Sequence, residues 1–170
     1  QTVRYEFGDV IVRQGDPADA YYIIVSGRAR VLKINDKGDE LALNSLRPGD
    51  EFGEAALIGA GIRTATVRSS AAVEALRLSR PDFLELMRES ATLREAIELA
   101  ARHSALRGFL YEFSNFGRLP ATAIRGLIEK LHPADFVKGQ AIIREGDGPG
   151  PMFIVREGKA RAFSGVKGRT

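Results

Sequence analysis

Apolar and polar positions alternate in short runs over the first 80 or so residues, and each run ends at turn residues. Val10-Ile11-Val12 precedes Gly15-Asp16-Pro17, and residues 21–25 form a β-rich run that stops at Ser26-Gly27. Residues 28–34 alternate long polar with apolar side chains up to Asn35-Asp36-Lys37-Gly38. Residues 40–46 lead to Arg47-Pro48-Gly49-Asp50, and 65–68 and 73–78 are two further runs. Short strands at regular spacing predict an antiparallel sandwich or jelly roll. Gly38 supplies the positive φ that a hairpin turn at Asp-Lys-Gly needs.

After Pro81 the period changes from two to that of a helix. Phe83, Leu84 and Met87 share one face of a short helix, and Ser90 can cap a second one. In that second helix Leu93, Ile97, Ala100, Ala101, Leu106, Phe109, Leu110 and Phe113 recur at helical spacing. The stripe reads as core or as a helix–helix contact, and a parallel helix pair through it would make a homodimer. Asn115 to Pro120 reads as a break, and residues 121–131 as another helix.

The pattern then repeats. The run from Gly8 to Asp16 matches the run from Gly139 to Asp147, Tyr22-Ile23-Ile24 matches Phe153-Ile154-Val155, and Gly27-Arg28-Ala29-Arg30 matches Gly158-Lys159-Ala160-Arg161. The register holds without a gap. An offset of about 130 residues is too long for a solenoid repeat and points to duplication of a whole domain. The expected organisation is a first domain at 1–116, with a jelly roll at about 3–80 and helices at 81–116. Residues 117–170 are expected to be a helix plus the opening strands of a second, truncated jelly roll. Gly8, Gly15, Gly27 and Gly49 read as turn glycines.

Composition narrows the function. The chain has 170 residues, 44% hydrophobic and 28% charged, a formal charge of +3 and no cysteine. Disulfides and thiolate metal sites are excluded, and no apolar run is long enough to span a bilayer. A cytoplasmic location is expected, and Gln1 suggests a piece of a longer chain. Lys and Arg are scattered and do not interleave with Tyr21, Tyr22, Phe109 and Tyr111, so no nucleic-acid partner is expected. His103 and His132 are the only histidines and lie far apart. A jelly-roll metal enzyme needs a histidine cluster, and no nucleophile–base pair is visible. The chain is therefore read as a non-enzyme that needs no metal.

The richest segment runs from Phe52 to Val67. It contains Gly53-Glu54-Ala55, a short small-residue stretch able to make one or two helical turns, and Arg63-Thr64-Ala65. Glycine allows close backbone approach, and a helix start offers N–H groups to an anion. Arginine presents a planar fork of donors to phosphate oxygens, and Glu54 is an acceptor for a sugar hydroxyl. In order and spacing the segment resembles the phosphate-binding cassette of cyclic nucleotide-binding domains. The Gly-Asp turn, Gly27 and the Arg47-Pro48-Gly49-Asp50 turn extend the resemblance over residues 3–114.

The resemblance implies an eight-stranded jelly roll followed by helices (an α+β fold) that binds cyclic AMP or cyclic GMP, with a slight preference for cyclic AMP. It implies that Arg63 grips the phosphate, that Gly53 and Ala55 offer N–H groups, and that Glu54 accepts from the ribose 2′-hydroxyl. Thr64 and Ala65 would finish the phosphate wall, and the Thr64 hydroxyl also permits guanine. Val31 and Leu43 would pack against the base. A lid is implied in the helix after Ser90, with Leu99, Arg102 and His103 as candidates. The effector would be a covalently linked domain of a longer chain, such as a kinase or a membrane transporter, in which case the segment is the cytosolic part of a membrane-associated protein. The alternative is a degenerate, nucleotide-free docking or dimerisation module. A transcription regulator would need a helix-turn-helix where the second jelly roll begins instead.

Overall fold

The period-two runs become eight strands in the computed structural model, which describes residues 1–113, 116 and 119–163. They are β1 (Thr2–Tyr5), β2 (Val10–Val12), β3 (Ala20–Ser26), β4 (Ala29–Ile34), β5 (Glu40–Leu46), β6 (Glu51–Phe52), β7 (Thr66–Ser69) and β8 (Val73–Ser79). Between β6 and β7 lies the short helix α1 (Glu54–Ile58). After β8 come α2 (Arg80–Glu89), α3 (Ala91–Phe113) and α4 (Ala121–Lys130). Half of the break expected at Asn115 to Pro120, residues 115, 117 and 118, lies outside the described residues. The strands β1 and β6 were not among the expected runs.

The strands form two antiparallel four-stranded sheets, ordered β1-β8-β3-β6 and β2-β7-β4-β5. Their inner faces enclose one core that includes Ile11, Tyr22, Ile24, Leu46, Phe52, Val67 and Val73. Tyr22 stacks on Phe52 with ring centroids 4.9 Å apart. A second cluster joins the outer face of β3 to the helices through Tyr21, Ala56, Leu57, Phe83, Met87 and Ile97. Tyr21 therefore belongs to the helical layer and Tyr22 to the sandwich, as strand alternation requires. Gly27 sits at the tight turn between β3 and β4 with φ 88°, and a Cβ there would meet the Ala72 carbonyl oxygen at 1.9 Å.

Helix α2 is capped by Ser79, whose side chain accepts from the Asp82 amide. Ser90 caps α3, as expected, by accepting from the Leu93 amide at 3.2 Å. The apolar stripe on α3 is only partly used. Ile97 and Leu110 are buried, whereas Leu93 and Phe113 are exposed. The 23-residue helix meets α1, α2, β5 and α4.

The chain divides into two units, Gln1–Lys130 and Leu131–Thr170. Helix α4, grouped with the second region in the sequence reading, falls in the first unit, where Ile124 and Ile128 are buried. In the second unit the described residues, to Phe163, form turns but no strand. The physical reason lies in the first unit. Every ladder there joins one of β1–β4 to one of β5–β8: β1 with β8, β2 with β7, β3 with β6 and β8, β4 with β5 and β7. Residues 139–161 match only the β2–β4 half of this scheme. A strand without a partner leaves its backbone groups to water.

Candidate functional site

The Gly53 turn brings the site together. Gly53 is left-handed (φ 99°, ψ −8°) at the start of α1. A Cβ there would lie 2.7 Å from Arg63 Nη1 and 3.0 Å from the Ala20 oxygen, so glycine is needed for both conformation and room. The turn sends Glu54 inward, where it is 4% exposed. The chain then returns through Gly61 (φ 77°) and a bridge between Pro17 and Ile62. The Gly15-Asp16 turn clamps the next residue. The Arg63 amide donates to the Asp16 oxygen at 2.8 Å, and the Arg63 oxygen accepts from the Gly15 amide at 2.9 Å.

Arg63 is 3% exposed. Its Nη2 donates to Asp19 Oδ1 at 2.9 Å and to the Ala20 oxygen at 2.7 Å, and Nη1 donates to the Gly53 oxygen at 3.4 Å. The guanidinium also lies 5.9 Å from the centre of the Tyr22 ring. A buried arginine needs a counter-charge, and Asp19 supplies it. Arg77 Nη2 holds the other Asp19 oxygen at 2.8 Å. Burial alone would raise the Asp19 carboxyl, but the hydrogen bonds from Arg77 and Arg63 outweigh it and hold the group below its ordinary value.

Glu54 forms no ion pair with Arg63 or Arg68. Arg68 instead sits 3.9 Å from Glu40, and Glu54 Oε1 accepts from Ser104 Oγ on α3 at 2.8 Å. Helix α3 is also held to β4 by an ion pair between Glu112 and Lys33. It passes close to β5 at Gly108, where a Cβ would lie 4.0 Å from Leu43 Cδ1.

A cavity of about 850 Å³ lies among these elements. Gly53, Glu54 and Ala55 line it from α1, and Arg63, Thr64 and Ala65 from the segment before β7. Val31 and Leu43 line it from β4 and β5. The structure thus brings all eight expected residues to one cavity. From α3 come Ala100, His103, Ser104 and Arg107, one helical face at spacings of three and four. Of the three lid candidates, only His103 is on this wall. Leu99 is 54% exposed, and neither it nor Arg102 lines the cavity. Asp19 and Ser104 were not anticipated, because each acts through a residue more than 40 positions away and no local pattern marks such a partner. Among the described residues no group of three or more His, Cys, Asp or Glu is placed to hold a metal ion.

Residues 2–90 match the family of the cyclic nucleotide-binding domain. The chain belongs to that family. It is 31% identical over 164 residues to cGMP-dependent protein kinase 2 of Rattus norvegicus, a match that covers 96% of this chain and 20% of the kinase. It is 38% identical over 87 residues to the cAMP-dependent protein kinase regulatory subunit of Blastocladiella emersonii, covering 51% of this chain and 22% of that one. Among solved structures it resembles the cGMP-bound form of the EAL enzyme Bd1971. That likeness has a TM-score of 0.52 and 29% identity, and it covers 62% of this chain and 29% of the other. The chain thus spans about a fifth of the length of these curated relatives. No helix among the described residues is long and apolar enough to cross a membrane.

Proposed function

We propose that the chain is a regulatory module that binds a cyclic nucleotide and signals through α3 to a covalently attached effector. One observation carries the reading. A buried arginine and a buried carboxylate, Arg63 and Glu54, share the wall of one cavity that α3 also lines. Arg63 has five N–H donors, and three hydrogen bonds to the protein leave donors for a phosphate. Glu54 accepts from the ribose 2′-hydroxyl, and Val31, Leu43 and α3 receive the purine. Cyclic AMP is the first ligand to try and cyclic GMP the second. Relatives named for each nucleotide exist, and Thr64 suits both.

The mechanism is linkage. A ligand that favours one placement of α3 shifts the population toward it. The effector is proposed to be catalytic and cytoplasmic, since the relatives above are kinases or kinase regulatory subunits. A membrane transporter as effector and a dimer through α3 gain no support from those relatives. The module itself is read as a binder and not an enzyme. Residues 131–163 are read as the opening of a second domain of the same kind.

Calorimetric titration of the chain with cyclic AMP and cyclic GMP tests the reading, with Arg63→Ala as control. Saturable heat that the substitution abolishes supports it, and the ratio of affinities identifies the base. No heat with either nucleotide favours the nucleotide-free docking module. That alternative has one observation on its side: α3 already gives Glu54 a hydroxyl.

A further inference from the structure

Glu54 has two carboxylate oxygens, and the protein uses one. Oε1 accepts from Ser104 Oγ at 2.8 Å. Oε2 takes no hydrogen bond from a described residue and is not sealed in the interior, while Glu54 lines the cavity. A carboxylate this buried needs its oxygens satisfied. Ser104 meets half of that need and leaves Oε2 open to a further donor.

The hydroxyl comes from a fixed platform. Two turns beyond Ser104, Glu112 pairs with Lys33 on β4. Between them Gly108 is buried where α3 nears Leu43. Before Ser104, Ile97 is buried in a cluster with Ala56, Leu57 and Phe83, so helix α3 is held on both sides of the position from which Ser104 reaches Glu54.

We propose that Ser104 is a positioning residue for ribose recognition. It holds Glu54 Oε1 so that Oε2 faces the 2′-hydroxyl of the ligand, and it ties occupancy of Oε2 to α3. A carboxylate can accept at both oxygens at once, so the serine and the ribose add to each other and do not compete. Without Ser104 the carboxylate is free to rotate, and binding must first restore its orientation. The inference rests on the reading of the cavity as a cyclic nucleotide site.

The test titrates the full chain, Ser104→Ala and Ser104→Thr with the nucleotide that binds and with its 2′-deoxy counterpart. Alanine suits a helix interior, so folding is preserved, and circular dichroism checks it. The expected result is an affinity for the 2′-hydroxyl ligand about fivefold weaker in Ser104→Ala and largely restored in Ser104→Thr. All three proteins should bind the 2′-deoxy ligand alike. An equal loss for both ligands would mean that Ser104 only docks α3 and would overturn the inference. A gain of affinity in Ser104→Ala would overturn it in the other direction, making the serine a competitor. No binding of either ligand by the unsubstituted chain would instead overturn the nucleotide reading, and this inference with it.

Discussion

Residues 8–27 and residues 139–158 make the same turns and meet different fates. Gly8, Gly15 and Gly27 have φ of 90°, 90° and 88°, and their counterparts Gly139, Gly146 and Gly158 have 86°, 91° and 86°. The turn bonds recur too. The Asp9 amide donates to the Glu6 oxygen and the Asp16 amide to the Arg13 oxygen, as Gln140 does to Val137 and Asp147 to Arg144. Burial does not recur. Val12 is 9% exposed and its counterpart Ile143 67%, while Ile24 is 1% exposed and Val155 50%. Turns are local, set by a glycine and its neighbours. Strands are not, because each needs a partner far along the chain.

The sharpest way to break this comparison is amide hydrogen exchange. Amides of β3 are paired on both edges, with β6 and β8, and should open only with the whole first unit. Amides of residues 152–155 have no ladder and should exchange close to the free-peptide rate. A contrast of roughly a thousandfold or more is expected from ordinary domain stability. Comparable protection in the two segments would show that residues 139–158 are held by something other than strand pairing.

Paired glycine substitutions sharpen it further. Gly27→Ala drives a methyl into the Ala72 carbonyl at 1.9 Å and also keeps a positive φ. The backbone must shift, and a loss of about 3 kcal/mol or more is expected in chemical denaturation. Gly158→Ala has the same φ but nothing within 4 Å. It bears only the left-handed cost, about 1–2 kcal/mol locally, and should leave the melting of the first unit unchanged. Equal effects would mean that the clash is relieved at little cost.

The same contrast explains what could be read from sequence. The strands β2 to β5, β7 and β8, the cassette glycine, Glu54 and Arg63 were legible because alternation, turn chemistry and spacing are local signals. The strands of the second region were equally legible as a pattern, yet the described residues form none, since the pattern says nothing about whether a partner is present. The apolar stripe on α3 overstated burial at Leu93 and Phe113 for a related reason. Periodicity identifies a face but not how much of its length a neighbour covers. Asp19 and Ser104 left no signal at all, being ordinary polar residues until the fold sets them beside Arg63 and Glu54.

Binding distinguishes the regions next, for only the first contains a cassette. Arg63→Ala should weaken cyclic nucleotide binding by about 2–5 kcal/mol, the loss expected when a buried charge loses its partner. Arg63→Lys keeps the charge but not the fork and should recover only part of the loss. Glu54→Gln should cost less, about 1–3 kcal/mol. Calorimetry checks all three. Unchanged affinity in Arg63→Ala would move the ligand elsewhere and remove the functional difference between the two regions.

The smallest expected effect concerns Asp19, whose counterpart in the second region is Gly150. The two arginines hold the Asp19 carboxyl below its ordinary 3.8 in the folded protein. A lowered folded value means that the ionised form favours folding. The contribution is therefore complete above the unfolded value and is lost as pH falls through 3.8 toward the lowered one. Asp19→Asn should be less stable than the unsubstituted chain at neutral pH, and the gap should close on acidification below about pH 4. The gap should be under about 1 kcal/mol, because the Asp19 side chain is 58% exposed and solvent screens the pair. Denaturation midpoints at pH 7, 5 and 3 measure it. A gap that persists at pH 3 would show that Asp19 supports Arg63 by shape and hydrogen bonding. In that case the charge would not be what separates the unit that holds Arg63 from the region that repeats its turns.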